Sequence, residues 1–164
     1  MDFKKFKIFI LVLAIAAGTN IFAATTGYTI VNANGIKTQT ATPTYSTVNP
    51  LDIVARPNFY LNKNVKIKAK FDKFSTLGLD YKPAMRSSQD YISFLIQRPD
   101  VTDHNIPLSE LKIFIKRAEA EKYIDLNSGD IVEFSGKVFS NALGDAWMDA
   151  EKFTVISTKP KEEK

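Results

Sequence analysis

Apolar and polar residues alternate most regularly over Asn64–Phe74, where Val65, Ile67, Ala69 and Phe71 interleave with Lys66, Lys68, Lys70 and Asp72. A period of two puts successive side chains on opposite faces, so this run predicts a half-buried strand with one charged face. Asp90–Gln97 (DYISFLIQ) predicts a second strand, closed by Arg98-Pro99, and Glu110–Arg117 (ELKIFIKR) a third. Asp130–Ser140 predicts a fourth, with Gly136 in its middle marking a bulge or barrel bend. Ala146–Ser157 predicts the fifth.

Ala118–Leu126 (AEAEKYIDL) is rich in helix formers and is stopped by Asn127-Ser128-Gly129, which predicts a helix between strands three and four. Ser109-Glu110 with Leu111, Ile115 and Ala118 also fits a helix running to Leu126, and the strand reading of Glu110–Arg117 is taken ahead of it. Asn49 before Pro50 predicts a short capped helix over Pro50–Ala55, ended by Pro57. All seven prolines fall outside the five strand segments, as expected of a residue that cannot donate to a ladder.

The flanks follow different rules. Lys4, Lys5 and Lys7 precede an apolar run from Ile8 to Ala17, and small residues Ala23 and Ala24 follow. That layout predicts a secretory signal peptide over 1–24. The run is about half of the ~20 residues a spanning helix needs, so cleavage is expected rather than anchoring, leaving no membrane span. Residues 25–49 hold eight Thr and one Lys without sustained apolar period, predicting a flexible leader. A short strand at Thr29-Ile30-Val31 is the one element suggested there. The predicted domain is 50–157, and 158–164 is a charged tail.

Charge then changes the picture. Of 22 basic and 18 acidic side chains, three Lys and one Asp lie in 1–24, so the remainder carries 19 and 17. The pI of about 9.2 therefore owes much to the signal segment, and bulk charge gives little support to nucleic-acid or membrane binding. The sequence has no cysteine, which excludes disulfides, a thiolate nucleophile and a zinc–thiolate site. Phe occurs 12 times, enough for a domain of this size to be held by its core.

Three strands, a helix and two strands is the order of the OB-fold, a five-stranded Greek-key barrel. Pro57-x-x-Tyr60-x-Asn62-Lys63-x-Val65-x-Ile67-x-Ala69 resembles the opening of small exported bacterial OB-fold domains, a group related to the tRNA-anticodon-binding type. Gly129-Asp130-x-Val132-x-Phe134-x-Gly136-x-Val138 resembles their fourth strand. One departure is Ala69, where such domains often have Gly, so the first strand is expected to bend less. The resemblance implies the barrel, and nucleic-acid binding for some members only.

Candidate ligand residues are those expected on an outer strand surface. Lys66, Lys68 and Lys70 share a face of the first strand, Tyr91 sits on the second, and Lys112, Phe114 and Lys116 alternate on the third. Lysines with interleaved rings are the combination with which OB-folds hold single strands. The competing reading is a solvated face. Trp147 follows the loop between strands four and five and reads either as a stacking anchor or as a plug at the barrel mouth. The loop 76–88 (TLGLDYKPAMRSS) reads as a ligand contact or as a cover.

Asp100, Asp103 and His104 could ligate a metal, but His104 is the only histidine and Asp-rich turns are ordinary, so no metal and no cofactor are expected. The sequence carries no GxSxG elbow, phosphate loop or HExxH, and one His without Cys leaves few nucleophile–base pairs. The reading is a non-catalytic binding module acting in the periplasm or beyond. Its expected partner is an anionic ligand (nucleic acid, admitted but not favoured, glycan or lipid headgroup) or an acidic protein surface. The alternative is a structural cell-envelope component working through protein–protein contacts.

Overall fold

The computed structural model describes Val31–Asn32, Gly35–Ile36 and residues 42–159. The signal segment, the Thr29-Ile30 part of the suggested strand, most of the leader and the tail beyond 159 lie outside these residues. The chain divides into two units, Met1–Ala41 and Thr42–Lys164. In the first, β1 (Val31–Asn32) and β2 (Gly35–Ile36) form an antiparallel pair.

The second unit is built on six strands: β3 (Ser46–Thr47), β4 (Asn64–Ser75), β5 (Tyr91–Ile96), β6 (Leu111–Lys116), β7 (Ile131–Ser140) and β8 (Ala146–Ser157). Their order is β3-β4-β5-β6-β8-β7, and β4 also pairs with β7. That pairing closes β4 to β8 into a five-stranded barrel, with β6 and β8 parallel and the other barrel pairs antiparallel. This is the OB-fold that the strand order predicts.

Closure depends on β4 serving two neighbours. Asn64–Lys70 pairs with β7 and Phe71–Ser75 with β5, with a register shift at Phe71/Lys73 where the strand turns the corner. Gly136 supplies a second bend, since the β7–β8 register shifts between Ser135 and Gly136. A Cβ on Gly136 would lie 1.7 Å from the carbonyl oxygen of Asp149, so the two backbones approach as closely as they do only because position 136 has no side chain.

Inside, Ile67, Phe71, Phe94, Ile113, Val132 and Phe134 are fully buried. Phe94 meets Phe134 and Phe153 edge-on at 5.1 and 5.3 Å between centroids, a favoured aromatic geometry. Helix α1 (Pro50–Ala55) forms as predicted: Asn49 Oδ1 accepts the Leu51 N–H at 3.0 Å, Pro50 opens the first turn and Ile53 enters the core. No helix among the described residues is long and apolar enough to cross a membrane.

Three expectations need correction. The sheet begins before residue 50, because Ser46–Thr47 pairs in parallel with Val65 and Lys66. A two-residue polar strand has no alternation to reveal it. Residues after Pro57 form a second short helix, α2 (Pro57–Tyr60), which buries Tyr60. The helix over 118–126 is shorter and earlier: α3 (Arg117–Ala120) tightens into a 3-10 turn over Glu121–Tyr123. There the Tyr123 hydroxyl donates to the Phe153 carbonyl at 2.9 Å, pinning the turn to β8. The helical alternative for residues 109–117 is not adopted, since Leu111–Lys116 is β6, paired with β5 and β8.

Candidate functional site

Two surfaces of the barrel bear on binding, and they differ in what covers them. The outer face of β5 and β6 is where Tyr91, Phe114 and Lys116 fall, because Tyr91 pairs with Lys116 and Ser93 with Phe114. It is covered by the β4–β5 loop. Phe114 and Trp147 are buried and stack at 5.8 Å with 15° between planes, and Tyr81 of the loop stacks on Trp147 at 5.3 Å. The Trp147 indole N–H donates to the Ala142 carbonyl at 2.7 Å, which satisfies its polar end. Gly78 lies so close that a Cβ there would be 2.9 Å from the Trp147 ring.

Arg86 fastens this cover. Its Nε donates to Asp149 Oδ1 at 2.7 Å, its Nη2 to the other carboxylate oxygen, and its guanidinium lies 3.7 Å over the Phe139 ring. Within the loop, the Asp80 carboxyl accepts hydrogen bonds from Ser88, and these hold it below its ordinary range, the side-chain hydroxyl first and the backbone N–H at 2.9 Å second. Of the three rings expected to contact ligand, Phe114 and Trp147 are thus interior, and Tyr91 is half-buried against them. Of the paired readings, the loop takes the cover, and Trp147 is neither an exposed anchor nor a plug at the barrel mouth but is buried beneath the loop against Phe114. Lys112 is also tied down, donating to Asp145 at 2.6 Å. Lys116 is exposed at the end of β6.

The three lysines of β4 lie elsewhere, on the half of the strand paired with β7, where Lys66, Lys68 and Lys70 face Ser135, Glu133 and Ile131. The structure therefore does not join them with Phe114 and Lys116 into one surface. Lys66 is held by Glu133 at 3.2 Å. Lys68 and Lys70 are exposed and have no ion-pair partner among the described residues.

These two lysines border a groove of about 590 Å³, within the ordinary range for a small-ligand site. One wall is Thr47–Pro50, and the opposite wall is the loop after β5, with Gln97, Arg98, Pro99 and Val101. Val48, Pro50, Pro99, Val101 and Ile131 give it an apolar lining beneath a cationic rim. The Arg98 charge is already shared between Asp100 and Glu110, at 3.2 and 2.5 Å. The Arg98 hydrogen bond holds the Asp100 carboxyl below its usual range. Asp103 contacts His104 Nδ1 at 2.7 Å, so Asp100 and the Asp103–His104 pair are engaged separately. Sequence reasoning found the two lysines but not the walls, because Thr47–Pro50 and Arg98–Asn105 carry no periodic signal.

No family model matches this chain, and no curated protein matches it. Among solved structures, it is similar to an asparaginyl-tRNA synthetase from Entamoeba histolytica in complex with asparaginyl-adenylate. The identity is 13%, the match covers 73% of this chain and 25% of that one, and the TM-score is 0.45. For the asparaginyl-tRNA synthetase from Pyrococcus horikoshii the figures are 18%, 62%, 20% and 0.41. For a mitochondrial single-stranded DNA binding protein from S. cerevisiae they are 8%, 60%, 98% and 0.39. The chain thus spans a quarter or less of the length of these synthetases. The barrel assignment rests on the strand order itself.

Proposed function

We propose that this domain is a non-catalytic binding module that takes an anionic ligand in the groove beside β4, through Lys68 and Lys70. One observation carries the reading: two exposed lysines without counter-ions among the described residues border a concave, apolar-lined site. Unpaired cations beside low-polarity walls attract an anion more strongly than the same charges on a flat wet surface. The module is proposed to act after export, which the Lys4–Lys7 start and the apolar run Ile8–Ala17 support.

The test is titration of the domain with heparin, single-stranded oligonucleotide and anionic lipid vesicles at two ionic strengths. Binding that weakens with salt, and weakens again in the double variant Lys68→Ser, Lys70→Ser, is the expected result. Lys116→Ser, remote from the groove, serves as the control. Equal loss in the control, or none in the double variant, refutes the site.

A further inference from the structure

The groove has a polar feature that a plain anion would leave unused. Along β4 the backbone groups of alternate residues point to opposite edges. The Phe71 N–H donates to Asp130 before β7, whereas the carbonyls of Lys66 and Lys70 accept from Val48 and Gln97 on the opposite edge. Lys68, between these two, presents its own N–H and carbonyl to that opposite edge. Pairing with β3 ends at Lys66 and pairing with β5 begins at Phe71. Hence no strand among the described residues pairs with the Lys68 edge, and it opens on the groove.

Resting on the anionic-ligand reading, we infer that the occupant is an extended acidic peptide segment of another protein, added as a short strand in the gap between β3 and β5. A donor and an acceptor from one residue of an open strand edge match one residue of a peptide backbone, as in β-strand addition. Phosphate, glycan and lipid headgroups offer no such alternating pair. Residues of the added strand alternate in direction, so acids at every second position meet Lys68 and Lys70 on the outer face. The intervening apolar residues turn toward Ala69 and Val48, which line the groove. The segment is short because Val48–Asn49 and Arg98–Pro99 bound the gap on either side.

The experiment uses the peptide acetyl-Val-Glu-Val-Glu-Val-amide and the same peptide N-methylated at its glutamates, which keeps charge and removes backbone donors. Heparin is the non-peptide polyanion. Expected is saturable binding of the plain peptide that falls about tenfold or more on N-methylation, the effect of a lost hydrogen-bonded contact. Lys68→Pro removes the edge N–H together with the charge, while Lys68→Ser removes the charge alone. Greater loss of peptide in the proline variant is expected, with heparin affected equally in both. Should the two peptides bind equally well, or heparin alone bind in a manner sensitive to Lys68→Ser, strand addition is overturned and the anionic site stands. If neither peptide nor heparin binds, strand addition is overturned, and the oligonucleotide and vesicle titrations decide the anionic-ligand reading.

Discussion

Arg86 and Asp149 meet through both carboxylate oxygens, and this contact closes the β4–β5 loop over the outer face of the barrel. Asp149 sits on β8 two residues beyond Trp147, so one strand supplies both the ring under the loop and the anchor that holds the loop on it. In related architectures that face and its loops are where ligand commonly binds. Here the face is filled by Phe114, Trp147 and Tyr81, and an open groove lies instead at the other half of β4.

Arg86→Ala should therefore loosen the loop and lower stability by about 1.5–3 kcal/mol, the range for a hydrogen bond to a charged group. Arg86→Lys should recover little of it, because an ammonium cannot reproduce the planar fork or the stacking on Phe139. Trp147 is the only tryptophan, so its emission reports directly. A shift toward the emission of solvated indole is expected in Arg86→Ala, and unchanged emission with unchanged stability would show that the pair holds nothing.

The barrel was legible because its strands alternate. Val65 to Phe71 and the proline placement give β4 and the segment ends, and Gly136 marks its own bulge. The covered face was not, because alternation distinguishes the two sides of a strand but not what lies on the outer one. Phe114 occupies the position expected of a surface residue, and only the folding of Tyr81 and Trp147 over it makes it interior. The groove was half legible for a similar reason. Lys68 and Lys70 stand in a periodic strand, whereas the walls come from segments whose position depends on tertiary contacts such as Val48 N–H to the Lys66 carbonyl.

Gly136→Ala tests the closure of the barrel. The new methyl would meet the Asp149 backbone rather than a movable side-chain end, so relief requires separating β7 from β8. The loss should exceed the ~1–3 kcal/mol of ordinary overpacking. Gly144→Ala is the comparison: nothing lies within 4 Å of a Cβ there, and its φ of +80° makes the cost one of backbone strain alone. Chemical denaturation should rank Gly136→Ala as clearly the more damaging, and equal effects would mean that β7 and β8 tolerate separation.

The proposed export has a direct check. Protein recovered from its native cell should begin near Ala24 or Thr25 by intact mass, without the Lys-rich start and apolar run. A chain that retains Met1 and sediments with membranes would make the run an anchor instead.

Tyr45 gives a prediction in pH. Its hydroxyl donates to Glu151 of β8 at 2.6 Å, which ties the segment before β3 to the barrel. Burial first, and then the Glu151 hydrogen bond, push the phenol from 10.0 up to about 12. A raised folded-state pKa favours the protonated phenol in the folded state. The tether is thus fully present below about pH 10 and is lost as pH rises through about 12. Tyr45→Phe should cost about 0.5–1.5 kcal/mol below that window, toward the lower end because solvent screens the site. Tyrosinate absorbance should show a group titrating near 12 that is absent in Tyr45→Phe. Stability measured across the same range should converge for the two proteins as the phenol ionises. A Tyr45 that titrates near 10.0 would show that the segment is not tied to β8, and the Thr47–Pro50 wall of the groove would lose its support.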